Sequence, residues 1–223
     1  MKVVITGGLG YIGTELCKIY SGEARFKEII VLDNRFVSER VKQLRDWGIQ
    51  FIHGDILDEK LISKTLENAD IVYHLAGITD VAYTNTESDT VKDAAITNVG
   101  ENGSRIVMRN CPSKCKFIFP STHVVFEGFE SEVFNVTEDE EVKPVLTYAK
   151  GKVQTENDLI QSKLNYVIIR LGSVIGYSLD TMRINIMPNL FSKIASQEGQ
   201  IKLFSGGRQH KSIVTVIDVA RCL

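Results

Sequence analysis

The sequence predicts an α/β fold in which helices cover both faces of a parallel sheet. Short apolar, β-branched runs alternate with longer segments of helical period. The runs are continuously apolar rather than alternating, as befits strands buried on both faces. The segments between them are long enough to carry the chain back from one parallel strand to the next.

In order, Lys2 to Thr6 is an apolar run that stops at a pair of glycines, and Tyr11 to Ser21 follows with helical period. Glu28 to Leu32 is the second strand, closed by Asp33, and Ser38 to Trp47 the second helix. Gln50 to His53, Asp58 to Asn68 and Asp70 to His74 continue as strand, helix, strand. The long segment Ser88 to Asn110 is the next crossover helix, leading to a strand at Lys116 to Pro120. Pro144 to Ser162 is expected as a helix and Tyr166 to Leu171 as a strand. A last helix at Arg183 to Gln197 and a last strand at Gln200 to Phe204 end the pattern.

Composition limits the partners. The chain has 223 residues, 43% hydrophobic and 24% charged, enough to bury a large core and unlike disordered, collagenous or coiled-coil sequences. Lys and Arg number 26 against 28 Asp and Glu, so no basic excess attracts nucleic acid or an anionic membrane. No run approaches the roughly 20 apolar residues of a membrane span. Val3 to Ile5 is too short for a signal-peptide core, so the protein is expected in the cytoplasm. Cys17, Cys111, Cys115 and Cys222 lack a C-x-x-C pair and read as reduced thiols. His53, His74, His123 and His210 are too scattered to suggest a metal site, and none is expected.

The segment "VVITGGLGYIGTEL" places Gly7, Gly10 and Gly13 between the first strand and the first helix, the context that raises a glycine pattern above chance. There the glycines allow a tight turn, close approach of a pyrophosphate and close packing of the helix, whose N-terminus supplies amide donors. Asp33 ends the second strand about 20 residues beyond the loop, where a carboxylate accepts from an adenosine ribose. A 2′-phosphate there would meet like charge, at a cost of about 4 kcal/mol for a pair ~4 Å apart at an effective dielectric of ~20. NAD is therefore expected over NADP, with Arg35 the one nearby group able to neutralise a phosphate. The fold expected is thus a doubly wound parallel sheet of Rossmann type.

These residues resemble the extended short-chain dehydrogenase/reductase family, the NAD-dependent nucleotide-sugar epimerases and dehydratases, over essentially the whole chain. "TGGLGYIG", "GDILD" at Gly54 to Asp58, "HLAG" at His74 to Gly77, "FPSTHVVFEG" at Phe119 to Gly128 and "YAKGK" at Tyr148 to Lys152 follow the family's order and spacing. The resemblance implies that Gly7, Gly10, Tyr11, Ile12 and Gly13 hold the dinucleotide phosphates and that Asp33 and Asn34 hold the adenosine ribose. It further implies that Asp55 and Ile56 contact adenine, that Leu75, Ala76 and Gly77 line the cofactor, and that Asn98 supports it from the long helix. Thr122, Tyr148 and Lys152 take the catalytic places, the last two also touching the cofactor.

Tyr148 and Lys152 lie four apart on an expected helix and share one face, so the ammonium is expected to lower the pKa of the phenol. Thr122 can hold the reacting sugar hydroxyl while Tyr148 takes its proton. In the family's 4,6-dehydratases an Asp-Glu pair follows the Thr; here His123 and Val124 stand there, and Val124 carries no proton. Epimerisation, most simply at C4, is therefore expected over dehydration, ketosugar reduction or a purely dinucleotide-binding role. On the substrate side Ser173 stands where the family usually has an Asn, and Lys211, with Arg208 beside it, takes the place of an Arg that grips the diphosphate; His123 is a further substrate-facing candidate.

Residues 1–171 are expected as the NAD-binding domain, with 172–223 starting a substrate-binding lobe interleaved with it. Family members usually run well past Leu223, so that small C-terminal lobe is expected to be incomplete. The Ser88 to Asn110 and Pro144 to Ser162 helices are the expected faces of a homodimer, as in the resembled family.

Overall fold

A computed structural model describes residues 1–79, 90–178, 181–203, 205–208 and 210–223. β1 (Lys2–Thr6) leads through the glycine turn into α1 (Tyr11–Tyr20). β2 (Glu28–Asp33), α2 (Ser38–Asp46), β3 (Gln50–His53), α3 (Glu59–Leu66) and β4 (Ile71–His74) follow. α4 (Thr90–Thr97) continues through a π-helical stretch, Asn98–Gly103, into α5 (Ser104–Arg109). β5 (Lys116–Thr122), α6 (Thr147–Gln161) and β6 (Asn165–Leu171) come next. β7 (Ser173–Ile175), α7 (Met187–Ser196), β8 (Ile213–Thr215) and α8 (Val216–Cys222) end the chain.

The main sheet has six strands in the order β3-β2-β1-β4-β5-β6, every neighbouring pair parallel. Val4 on β1 stands opposite Ile30 on β2 and Val72 on β4, so the centre of the sheet is aliphatic on both sides. One face buries Val4, Leu32, Phe117 and Phe119 against Ile62 and Leu66 of α3, Val107 of α5 and Leu159 of α6. The other buries Val3, Ile5, Val31 and Ile118 against Leu16 and Cys17 of α1, Leu44 of α2 and Ala220 of α8. Each fully buried Leu or Ile contributes roughly 1.5–3 kcal/mol. Asp58 caps α3 by accepting from the Leu61 amide at 3.1 Å, a contact that typically contributes about 1 kcal/mol.

The strand order reverses between β1 and β4, and a crevice opens there at the carboxyl ends of the strands. Among the described residues no helix is long and apolar enough to cross a membrane, and no cysteine is bridged.

Three expectations change. Residues 200–203 form no strand; Ile201 and Leu203 stay exposed, and Phe204 lies outside the described residues. The second sheet instead pairs β7 with β8, which the strand reading passed over. The last long helix begins at Met187 rather than Arg183, because Pro188 sits in its first turn, where a ring-fixed φ and a missing N–H are tolerated. Ser88 and Asp89, the expected start of the fourth helix, lie outside the described residues.

Candidate functional site

The turn after β1 is built for close backbone approach. Gly7 has φ +72°, and a Cβ there would stand 2.6 Å from the Ala76 amide nitrogen. A Cβ on Gly13 would stand 2.6 Å from Gly8 Cα, so α1 packs onto the turn only without a side chain. Gly10 is the N-cap of α1 and offers no side-chain acceptor; the first turn of the helix also carries no acid. Its amides and positive end therefore face the crevice with no side-chain oxygen in the way, which suits a pyrophosphate.

Beside this turn, Asp33 is 5% exposed and accepts from the Leu9 amide at 3.0 Å and the Arg35 amide at 3.0 Å. The Arg35 guanidinium leans back on the same carboxylate at 3.4 Å. Asn34 donates to Asp55 at 3.0 Å, and Asp55 also accepts from the Leu57 amide at 2.9 Å, which fixes the loops after β2 and β3 against each other. Ile56 is buried behind them.

Gly7, Gly10, Tyr11, Ile12, Gly13, Asp33, Asn34, Asp55, Ile56, Leu75, Ala76 and Gly77 all line one cavity of about 1430 Å³. Thr122, His123, Tyr148, Lys152, Ser173 and Lys211 line it too. That volume exceeds the roughly 300–1,000 Å³ of a single small-ligand site, so a dinucleotide and a second ligand can share it. Two expected residues stand elsewhere. Asn98 is exposed and accepts from Asn102 at 3.0 Å, while the π-helical winding turns Val99 to the cavity in its place. Arg208 is exposed and outside the lining.

On the far wall, β5 and α6 meet. Lys152 donates to the Pro120 carbonyl at 2.8 Å, with its nitrogen 4.2 Å from the Phe119 ring centre and 5.9 Å from that of Tyr148. The Thr122 hydroxyl stands near the Tyr148 phenol and favours its charged form. Both side chains stand deep in the crevice, and this corrects the expected acidity of the phenol. Burial pushes Tyr148 up to about 12, while the Arg183 cation and Thr122 pull the other way. Burial likewise pulls Lys152 down to about 8, against the charge of Glu156. Desolvation outweighs the helical Tyr-Lys neighbourhood because both charged forms lose water together.

Behind the wall, the Ala76 amide donates to Thr6 Oγ1 at 3.3 Å, and that hydroxyl donates to His74 Nδ1 at 2.8 Å. His74 Nε2–H then donates to Ser104 Oγ at 2.9 Å, and Ser104 to the Gly100 carbonyl. The chain fixes the tautomer. Burial and the nearby Lys152 charge hold His74 down at about 3, so it stays neutral.

On the substrate side, Lys211 is paired with Glu127 at 2.7 Å. His123 Nδ1 donates to the Leu171 carbonyl at 3.0 Å, and its Nε2 has no hydrogen-bond partner among the described residues. Arg183 and Asn189 were not singled out from sequence. Buried Asn189 accepts from the Gly176 amide at 3.1 Å and donates to the Arg183 carbonyl at 3.0 Å, so it sets the loop that carries Arg183 into the cavity. A basic residue shortly before a Pro-started helix was the available signal. No group of three or more potential metal ligands stands together among the described residues.

The model of a family described as NAD dependent epimerase/dehydratase matches residues 3–223. A dTDP-D-glucose 4,6-dehydratase of Dictyostelium discoideum is 27% identical over 197 residues, covering 78% of this chain and 44% of that protein. A UDP-glucose 4-epimerase of Lactobacillus helveticus is 24% identical, covering 98% of this chain and 67% of that one. The chain thus spans under half the length of the dehydratase it matches. A solved structure of a Bacillus cereus UDP-glucuronic acid 4-epimerase in complex with NAD superposes with a TM-score of 0.82 at 24% identity, over 99% of this chain and 72% of the other, a likeness of fold.

Proposed function

The chain belongs to the NAD-dependent epimerase/dehydratase family, and from that premise we propose that it epimerises a nucleotide-activated sugar, at C4 in the first instance, with Tyr148 as the base. The observation that carries this reading is the wall on which Thr122, Tyr148 and Lys152 face one cavity.

The glycine turn and bare helix end fit the dinucleotide: Gly7, Gly10, Tyr11, Ile12 and Gly13 would hold its phosphates and Asp33 its adenosine ribose. Asn34 would join Asp33 at the ribose, Asp55 and Ile56 would flank adenine, and Leu75, Ala76 and Gly77 would line its path, with Tyr148 and Lys152 at the far end. When bound, NAD supplies a reversible acceptor for the hydrogen on the carbon being inverted. Thr122 orients the sugar hydroxyl, and Tyr148 takes its proton and later returns it. Arg183 and the Lys152 ammonium favour the phenolate against the desolvation that opposes it. Lys211, Ser173 and His123 would meet the nucleotide-sugar.

Val124 in the place of the dehydratase glutamate favours epimerisation over loss of water. Incubating the protein and NAD with UDP-, GDP-, dTDP- and CDP-sugars, followed by chromatography with mass detection, tests this. A new peak of unchanged mass is expected. A product lighter by one water would overturn it in favour of dehydration, and tight NAD binding with no turnover in favour of a binding role.

Exposed Cys222 suits a compartment that keeps thiols reduced, which supports placing the reaction in the cytoplasm. Ile160, 59% exposed on α6, supports a homodimer through that helix; a monomeric sedimentation mass at micromolar concentration would remove it.

A further inference from the structure

Three consecutive residues of β5 hold three successive turns of α6. The Pro120 carbonyl takes Lys152, the Ser121 hydroxyl donates to Glu156, and Thr122 meets Tyr148. Tyr148, Lys152 and Glu156 are spaced four apart, so they form one stripe down the helix. The first two belong to the reaction scheme above. Glu156 does not, and it is 3% exposed.

Its carboxylate is fully engaged. Oε1 accepts from Ser121 and from Arg170 Nε at 3.2 Å, and Oε2 accepts from Arg170 Nη2 at 2.7 Å. Arg170 Nη1 reaches on to the Glu138 carbonyl at 3.0 Å. For stability alone such a pair is a weak device, since desolvating two charges offsets most of their attraction. Lys152, by contrast, has a need that Glu156 meets: a buried ammonium with one carbonyl acceptor is costly without an anion near it.

We propose that Glu156 is the positioning residue of this site: held by Ser121 and Arg170, it keeps Lys152 protonated and locks α6 in register with β5. The other groups around Lys152 do not supply that charge. Tyr148 is held neutral by burial and His74 stays neutral behind it. Glu101, which faces Gly151 from the π-helical stretch, is committed to Arg105 at 3.6 Å. Arg183 and Arg170 are cations. Among the described residues Glu156 is the anion whose charge supports the Lys152 ammonium.

This assignment rests on Lys152 belonging to the site, and its test reads the lysine directly. In protein with isotope-labelled lysine, the Lys152 resonance is assigned with Lys152→Arg and titrated by NMR in the wild type and in Glu156→Gln. The midpoint is expected to fall by about one unit or more in Glu156→Gln, and to stay near the wild-type value in Glu156→Asp. Where the single variant does not fold, Glu156→Gln/Arg170→Gln removes the orphaned guanidinium and should lower the midpoint as well. An unchanged midpoint in whichever of these neutral variants folds would overturn the proposal. A lowered midpoint in a protein that turns over no nucleotide-sugar would uphold Glu156 while sinking the epimerase reading. Where turnover exists, the alkaline limb of its pH profile should move to lower pH in Glu156→Gln and not in Glu156→Asp.

Discussion

The stability of Lys152→Met relative to wild type should fall as pH rises from neutrality. The lysine ionises in the folded state at about 8 against 10.5 for the free side chain, because burial disfavours its charge. The unfolded chain therefore holds a proton that the folded chain does not, over the window between those two values. With more protons on the unfolded state, stability rises with pH there. Below about 8 the folded state carries the whole penalty of the buried charge; above 10.5 neither state carries it. Integrated between about pH 7 and about pH 9.5, the wild type should gain about 2 kcal/mol on Lys152→Met. The variant also leaves the Pro120 carbonyl unpaired and loses the contact over Phe119, but those losses are the same at every pH and cancel in the difference. Tyr148 at about 12 and His74 at about 3 titrate outside the window. Urea unfolding of both proteins at the two pH values measures it. A stability difference flat to within about 0.5 kcal/mol would show that Lys152 is not desolvated, and the account of the catalytic wall would fail with it.

Gly13→Ala should push α1 off the turn, since its Cβ meets backbone atoms that cannot rotate away; a loss of about 1–3 kcal/mol in urea unfolding and of dinucleotide affinity in calorimetry is expected. Asp33→Asn should weaken NAD by roughly 10-fold or more through the lost charged acceptor and narrow the preference over NADP, read by titration with both. Arg183→Met removes a cation that favours the Tyr148 phenolate, so the acid limb of the pH–rate profile should move up, with NAD affinity unchanged.

The strands were legible because β1, β2, β4 and β5 must be apolar on both faces, a demand that leaves runs such as Val3 to Ile5 with no other reading. Strand β8 was not, because three residues, two of them exposed on a small outer sheet, carry no such demand. The run at 200–203 shows the converse: it alternates like a strand, yet it pairs with no strand among the described residues. The glycine turn, Asp33 and the Tyr148-Lys152 spacing were visible because local geometry fixes them. The acidity of Tyr148 was not, since it depends on how much chain from Arg183 and β5 closes over the ring. Glu156 and Arg170 are only 14 residues apart in sequence, yet nothing local says that α6 and β6 will bring them together.

The charges of the cavity divide by burial, and the division separates what a ligand can rearrange from what it cannot. The Lys211–Glu127 pair has side chains 41% and 33% exposed, and Arg35 is 55% exposed where it meets Asp33. Pairs so wet are worth about 0–1 kcal/mol, so a diphosphate can draw Lys211 from Glu127, and a ribose can share Asp33 with Arg35, at little cost. Arg170 and Glu156 are 21% and 4% exposed and joined by a fork, and removing one partner there typically costs about 3–5 kcal/mol. An anion entering the crevice is therefore met by cations on loose tethers, while the pair behind Lys152 stays fixed. On the proposed function, the wall that would move the proton keeps its geometry while the mouth that would take the nucleotide adapts.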